Sequence, residues 1–274
     1  MPDLLCPVCG NSLIQEEKRY RCENGHSFDR AGSGYVNLLI SRQTGAQHGD
    51  DKAMVRARRA FLDRGYYAPL QKALCKTVLH YAKNDTVDLL DAGCGECYYT
   101  AAVEKALSDA GKQSSIVGID ISKDALKVGD KRGTDLRLAV ASAYRLPVAD
   151  ASCDVVLNVF APFAGEEYLR VLKPGGVLLH VSPDVNHLWE LKQAVYETPY
   201  LNTTDAPEQD GLCIIDDQRI TMQLALSNHE DIAALFHMTP YAHKTSPGDI
   251  ARLDALTTLS VAAEFILRVY QKAA

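Results

Sequence analysis

The sequence predicts an α/β fold in which a doubly wound, mostly parallel sheet follows a small metal-binding module. Apolar segments of strand length alternate with helical segments from residue 87 to residue 182, and this alternation is typical of a parallel sheet with helices on both faces. A glycine turn follows the first of these strands, and three cysteines and a histidine lie before residue 27. With 47% hydrophobic and 23% charged residues, the composition is that of an ordinary globular protein.

Residues 1–36 are predicted to form a zinc-binding module. The spacing is Cys6-x2-Cys9-x12-Cys22-x3-His26, and four soft ligands in such an arrangement match a closed tetrahedral zinc site. A segment this short buries little apolar surface, so the metal would supply much of its folding free energy. Disulfides are disfavoured because the sequence shows no export signal. A catalytic zinc is disfavoured because protein ligands fill all four positions.

Residues 37–65 are predicted to form a linker and a basic helix. Residues 35–39 have the composition of a strand or packing arm, residues 40–51 that of a mobile linker, and residues 52–62 that of a helix. The helix carries Arg56, Arg58 and Arg59, whose guanidinium groups suit phosphate recognition, although a solvated helix face explains them equally well. Residues 1–66 carry a net charge of +2 and the remainder −8, which is compatible with a local contact to nucleic acid.

Residues 66–274 are predicted to form the main domain, which begins with a helix at 66–81. Seven strands are expected at 87–92, 115–121, 136–141, 153–160, 176–182, 219–225 and 261–269. Helices are expected at 98–109, 122–131, 165–171, 188–196 and 228–236, and an irregular stretch at 198–217. Seven strands arranged in this way form a Rossmann-like sheet.

The glycine turn after the first strand is the predicted ligand site. It reads Asp91-x-Gly93-x-Gly95, and Asp120 ends the next strand. A strand that ends in a glycine turn and re-enters as a helix presents backbone N–H groups to a ligand, and a Cβ would hinder both the turn and the close approach. Right-handed crossovers place this turn at a topological switch point, where such sheets bind ligands.

These motifs resemble those of class I S-adenosylmethionine-dependent methyltransferases. Besides the turn and Asp120, the chain has Ala141-Ser142 and Pro174-Gly175-Gly176 at the corresponding places. The resemblance implies that the glycine turn lies under the methionine portion of the cofactor, that Asp120 holds the ribose hydroxyls, and that Ser142 is near adenine. A nicotinamide dinucleotide enzyme is less favoured, because Tyr98 occupies the position of the third glycine in that fingerprint.

The whole chain resembles the RlmA-type 23S ribosomal RNA guanine-N1 methyltransferases. The resemblance depends on the zinc-ligand spacing and on segments 34–39, 57–62, 93–96, 161–162 and 187–192. It implies the same zinc ligands, the same cofactor and a guanine substrate in a 23S ribosomal RNA hairpin. It also implies that Tyr67, Gly95, Glu96 and His187 lie at the cofactor. Homodimers are known in the family, so a homodimer is expected.

One residue departs from the family pattern, which has a third glycine where this chain has Cys97. If this position has a positive φ, a cysteine costs on the order of 1 kcal/mol and would crowd the cofactor. The substitution also creates Cys94-x2-Cys97 at a helix N-terminus, for which a redox or second metal site is the alternative interpretation.

The segment after the fourth strand, residues 158–163, is where target-base contacts are expected. Asn158 is the candidate that orients the base edge, and Phe160 or Phe163 are candidates for stacking, with core packing as the alternative for each. The sequence names no general base.

Two other functions stay open at this point. One is a methyltransferase of a protein or small molecule that uses the zinc module to bind a partner, and the other is a non-catalytic protein whose pocket Cys97 has closed. The sequence contains no signal peptide and no membrane span, so a cytoplasmic protein without a membrane partner is expected.

Overall fold

The computed structural model of the chain describes residues 2–40, 49–133 and 135–273, and the strands form two sheets. The small sheet contains β1 (Ile14–Gln15), β2 (Arg19–Arg21) and β3 (Ser27–Asp29). The large sheet contains β4 (Val36–Asn37), β5 (Thr86–Ala92), β6 (Gln113–Asp120), β7 (Leu136–Val140), β8 (Cys153–Val159), β9 (Leu172–Pro183), β10 (Leu212–Leu226) and β11 (Leu259–Lys272).

Eight α-helices are present in the described residues. They are α1 (Lys52–Asp63), α2 (Ala68–Tyr81), α3 (Tyr98–Asp109), α4 (Lys123–Gly129), α5 (Gly165–Val171), α6 (Trp189–Val195), α7 (His229–His237) and α8 (Pro247–Asp254), and a 3₁₀ helix spans Pro240–Lys244. None of the helices in the described ranges combines the length and the apolar character that crossing a membrane requires.

The large sheet has the strand order β10-β11-β9-β8-β5-β6-β7-β4. Strands β4 to β9 run parallel to one another, and β11 runs antiparallel to both β9 and β10. The predicted doubly wound, mostly parallel sheet is therefore confirmed, with one short strand more than expected. That strand, β4, comes from the segment that was expected to be a strand or packing arm.

Two parts of the secondary-structure prediction were wrong. The stretch expected to be irregular up to residue 217 already contains the start of β10 at Leu212. Because β10 is an edge strand that pairs only with β11, many of its side chains are exposed, and the apolar pattern of a buried strand is missing. Helix α8 was not predicted, although Ser246 and Asp249 form a capping box at its start.

The zinc module packs directly on the large sheet. The backbone N–H of Leu5 donates to the carbonyl of Pro147 (2.8 Å), and Leu4 forms a bridge with Val148. Leu4, Tyr20 and Val36 share one buried cluster with residues of the large sheet. The module is therefore held in a defined position beside the sheet.

The segment between the module and α2 borders the carboxyl edge of the sheet. Residues 41–48 of the predicted linker lie outside the described residues. Asp51 caps α1 by accepting hydrogen bonds from two backbone N–H groups, and α1 then packs against α7. Strand β5 lies between β6 and β8, so the turn that leaves β5 is at the switch point of the sheet, as predicted.

Candidate active site and metal centre

The glycine turn has the geometry that its sequence requires. Gly93 has a φ of +94°, and a Cβ on it would lie 2.3 Å from the Cβ of Ala161. The N–H groups of Gly93 and Cys94 donate to the carbonyl of Ile119 (2.7 and 3.0 Å). The N–H of Gly95 donates to a carboxylate oxygen of Asp120 (2.8 Å). The turn is therefore tied to β6, and the approach of the 161 methyl leaves room only for glycine at position 93.

A cavity of about 570 Å³ opens at this turn along the carboxyl edge of the sheet. All eight residues that were predicted to bind the cofactor line it: Tyr67, Asp91, Gly93, Gly95, Glu96, Asp120, Ser142 and His187. This volume is typical of a pocket for a small molecule or cofactor. Side chains from regions distant in sequence therefore converge on one site.

Three of these residues are acids, of which Asp91 and Glu96 are buried and Asp120 is half-buried. Burial raises the pKa of Asp91 to about 7, although its Oδ2 accepts a hydrogen bond from Thr100 (2.6 Å). Burial also raises the pKa of Asp120 and the pKa of Glu96. Oε1 of Glu96 accepts a hydrogen bond from Arg132 (2.9 Å). The second oxygens of Asp91 and Glu96 are buried and have no hydrogen-bond partner within the described part of the chain.

These unpaired oxygens fit the cofactor that the motifs imply. S-adenosylmethionine carries a sulfonium and an ammonium group, and a positive ligand would compensate buried carboxylates that lack partners. The carboxylate of Asp120 accepts hydrogen bonds from the backbone N–H groups of Gly95 and Ser122 (2.8 and 2.7 Å), and these bonds orient it for a further contact with the ligand. The acidic lining and the glycine turn thus match the charge and the shape of this ligand.

Two histidines line the cavity in opposite tautomers. Nδ1 of His187 accepts a hydrogen bond from the backbone N–H of Glu264 (3.1 Å), which leaves the proton of the neutral ring on Nε2. Nδ1 of His180 lies 3.0 Å from Oδ1 of Asn158, which is an acceptor, so this ring carries its proton on Nδ1. Burial lowers the pKa of His187 to about 3 and that of His180 to about 4, so both rings are neutral at pH 7.

His180 was missed in the sequence. The available signal was a single imidazole inside the apolar run of β9, where a fully buried parallel strand ordinarily has only apolar side chains.

The expected contact of Asn158 with the target base has no support in this geometry. Asn158 is fully buried and does not line the cavity. Its Nδ2 donates to the carbonyl of Pro162 (3.0 Å) and to the hydroxyl of Tyr168 (2.6 Å), and its Oδ1 faces His180. All of its hydrogen-bonding groups are engaged, so Asn158 positions the 160–163 turn and the His180 ring.

The two phenylalanines of this turn have different environments. Phe160 is 43% exposed at the cavity and has a φ of +59°. Phe163 packs edge-on against Tyr168 and His180, with ring centroids 5.6 and 5.4 Å apart. Phe160 is therefore the accessible aromatic surface, while Phe163 supports the histidine.

The arginines of α1 do not form one cluster. Arg58 lines the cavity, forms an ion pair with Asp50 and donates to the carbonyl of Met238 (3.3 Å). Arg56 is exposed, and Arg59 lies 3.4 Å from Asp63. In a helix with 3.6 residues per turn, residues 56 and 59 share one face, whereas residue 58 points in a different direction. The predicted joint RNA contact of all three therefore needs correction for Arg58.

Cys97 does not obstruct the cavity. It has a φ of +62°, which costs a non-glycine residue on the order of 1 kcal/mol. Its side chain is fully buried, and its Sγ faces Gly129 of α4. Burial raises the pKa of Cys94, and thiols of this kind are unreactive. The expectation that a positive φ would crowd the cofactor is wrong, and the redox alternative has no support.

The predicted zinc ligands come together in the small module. Cys6, Cys9, Cys22 and His26 offer ligand atoms that all lie within 4.8 Å of one another. Tetrahedral zinc with bonds of about 2.3 Å to sulfur places two sulfurs about 3.8 Å apart. The observed distance between the Sγ atoms of Cys9 and Cys22 is 3.7 Å. A backbone hydrogen bond from Asn11 lowers the pKa of Cys9 to about 6, which favours the thiolate that zinc binds.

Comparisons with known proteins support both parts of the chain. Residues 4–43 match the family model described as RlmA, N-terminal, a zinc ribbon, and residues 90–180 match the methyltransferase domain. The 23S rRNA (guanine(748)-N(1))-methyltransferase of Streptomyces fradiae is 34% identical over 258 residues, which cover 91% of this chain and 89% of that protein. A protein of Micromonospora griseorubida, provisionally named 23S rRNA (guanine-N(1)-)-methyltransferase, is 36% identical. The match covers 94% of this chain and 92% of that protein.

Solved structures support the fold. A chain in the complex between the Haloferax volcanii Trm112 methyltransferase activator and a provisionally assigned methyltransferase superposes with a TM-score of 0.50. The two chains are 18% identical, and the superposition covers 81% of this chain and 95% of that chain. The two matched family models, the Cys3His cluster and the relatives together show that S-adenosylmethionine and a structural zinc ion are the cofactors. The chain belongs to the RlmA-type family of 23S ribosomal RNA guanine-N1 methyltransferases.

Proposed function

We propose that this protein transfers the methyl group of S-adenosylmethionine to N1 of a guanine in a hairpin loop of 23S ribosomal RNA. The observation that carries the proposal is the acidic cavity at the glycine turn, which opens beside an exposed aromatic ring and a neutral histidine. When bound, the cofactor supplies a methyl group activated by its sulfonium. The protein then has to align the acceptor nitrogen and give its proton a route out.

The exposed ring of Phe160 is the proposed stacking surface for the guanine. It lies against Phe265, with ring centroids 5.1 Å apart, and its backbone keeps a conformation that is unfavourable for a non-glycine residue. Such conformations are concentrated at functional sites. Double-helical RNA hides its base edges, so an unpaired guanine of a loop is the substrate that this surface can accept.

A surface between the zinc module and the cavity is the proposed path of the RNA. A second cavity of about 450 Å³ lies between residues 5–10 of the module and residues 145–147, and Ser142 lines both cavities. Between them, Tyr144 is 66% exposed and Arg145 is also exposed. Arg56 and Arg59, on the outer side of α1, would contact phosphates. An RNA hairpin on this path would contact the module while its loop base enters the cavity.

We also propose the organisation into the zinc module (1–36), the linker and basic helix (37–65) and the methyltransferase domain (66–274). A homodimer and a cytoplasmic location follow from the family resemblance and from the RNA substrate. Sedimentation equilibrium of the zinc-loaded protein would report the oligomeric state.

Reverse transcription of 23S ribosomal RNA tests the proposed function. N1 methylation blocks the pairing edge of guanine, so RNA from cells that express the protein should give a strong stop at a hairpin guanine. RNA from cells that lack the gene should give none. Expression of an Asp120→Asn variant, which changes the proposed ribose contact, is the matched control and should weaken the stop. Read-through at every hairpin guanine in expressing cells would refute the proposal.

A further inference from the structure

The proton on guanine N1 needs an acceptor, and the cavity offers few. Four acids line it. Asp50 pairs with Arg58, and Asp120 accepts hydrogen bonds from two backbone N–H groups. Asp91 and Glu96 each accept one hydrogen bond, and their second oxygens are the ones that would face the positive groups of the cofactor. His187 accepts a hydrogen bond at Nδ1 and has a proton on Nε2, so its neutral ring has no free acceptor.

His180 is different because its free nitrogen is an acceptor. Its Nδ1 donates to Asn158, and its Nε2 has no hydrogen-bond partner among the residues that the structure describes. The ring lines the cavity but is only 6% exposed, in the same part of the site as Phe160 and Pro162. This places a neutral base on the side of the cavity where the RNA base is proposed to enter.

The orientation of Asn158 determines this tautomer. The carbonyl of Pro162 can only accept, so it requires the NH₂ group of Asn158 on its side (3.0 Å). The Tyr168 hydroxyl accepts the second proton of that NH₂ group (2.6 Å) and donates its own to the same carbonyl (3.0 Å). Oδ1 of Asn158 must therefore face His180, which in turn must donate from Nδ1.

We propose that His180 is the catalytic residue that accepts the N1 proton of the target guanine through Nε2, and that Asn158 is the positioning residue that keeps Nε2 unprotonated. This inference rests on the proposed function. In the transfer, N1 forms a bond to the methyl carbon while the carbon–sulfur bond breaks, and its electron pair stays on sulfur. The N1 proton moves to Nε2, and the resulting imidazolium then loses a proton to water.

The surroundings suit this role. The charged group that acts on the ring is Arg268, which is opposite His180 on β11. Burial and then the charge of Arg268 lower the pKa of His180 to about 4, so the ring is ready to accept a proton at neutral pH. A base this weak suffices because N1–H becomes strongly acidic as the bond to the methyl carbon forms.

Three variants test the inference. H180Q keeps a hydrogen-bonding side chain but removes the base, and we expect kcat to fall at least about 100-fold with S-adenosylhomocysteine affinity changed less than threefold. H187Q is the matched control from the same cavity, and it should weaken the affinity for S-adenosylhomocysteine. The third variant, N158D, keeps an acceptor opposite Nδ1 of His180. Because its carboxylate would raise the pKa of His180, N158D should move the acid limb of the kcat–pH profile to higher pH.

A readout independent of activity is the ¹⁵N NMR spectrum of the histidine side chains. Protonated Nδ1 and unprotonated Nε2 are expected for His180, and the reverse for His187. A kcat of H180Q within threefold of the wild type, or a proton on Nε2 of His180, would overturn this role alone. If the wild type transfers no methyl group to guanine N1, both the proposed function and this role of His180 are refuted.

Discussion

Cofactor binding should release a proton from Asp91. This carboxyl is buried at the glycine turn, and burial raises its pKa to about 7. Its Oδ1 has no hydrogen-bond partner in residues 2–40, 49–133 and 135–273. The ammonium group of the cofactor favours the ionised carboxylate, so binding should lower this pKa and expel the proton. The buried acid and the ligand charge are therefore thermodynamically linked.

The size of the effect follows from the pKa. With a pKa of about 7, the carboxyl is protonated in about three quarters of the molecules at pH 6.5 and in about a tenth at pH 8. Binding should therefore release about 0.8 proton at pH 6.5 and about 0.1 at pH 8. Since the protonated form must first lose its proton, the apparent Kd should fall about tenfold between pH 6 and pH 8.

Isothermal titration calorimetry with S-adenosylhomocysteine measures this release directly. Titrations in buffers with different ionisation enthalpies give the number of protons, and Asp91→Asn should reduce that number sharply. Asp88→Asn is the matched control on the same strand. Burial opposes ionisation of Asp88, but Lys173 lowers its pKa overall, so this carboxyl stays ionised. Equal proton release in the wild type and Asp91→Asn would show that Asp91 is not the group that loses the proton.

Three further predictions concern the RNA contact, the metal and the turn. Reversal of Arg56 and Arg59 to Glu should weaken RNA binding and reduce its salt dependence by about one unit per arginine, with cofactor affinity unchanged in filter-binding and calorimetric assays. Removal of zinc with a chelator should unfold the module, as circular dichroism would report, and abolish RNA methylation. Gly93→Ala places a Cβ 2.3 Å from that of Ala161 and should weaken cofactor binding at least tenfold, whereas Gly111→Ala has a similar positive φ, meets nothing within 4 Å and should leave binding unchanged.

Each of these has a clear contrary result. Loss of cofactor affinity in the double arginine variant would mean that the outer side of α1 belongs to the cofactor site. RNA methylation that survives complete zinc removal would separate the module from substrate binding. Equal effects of the two glycine variants on cofactor affinity would show that backbone strain, rather than the clash, controls the turn.

Features that depend on short-range chemistry could be predicted from the sequence. Cys6, Cys9, Cys22 and His26 are ligands at metal-binding spacing, and the structure brings them within reach of one ion. The glycine turn and Asp120 were likewise readable, because parallel strands end at one edge of the sheet and bring consecutive strand ends together. The seven main strands were also found, although the first part of the edge strand β10 was missed because its side chains are largely exposed and the apolar pattern is absent there.

The surroundings of individual side chains depend on tertiary packing and could not be predicted from the sequence. Arg58 was read as a phosphate contact, but its direction depends on how α1 packs against α7, and it lies in the cavity. Cys97 keeps its positive φ because its sulfur fits against Gly129, which is distant in sequence. Asn158 was expected to contact the base but instead holds His180, which was not singled out in the sequence, because a hydrogen bond across neighbouring strands depends on register. Sequence patterns report which residues are near a strand end, whereas partners distant in the chain determine which nitrogen is free to react.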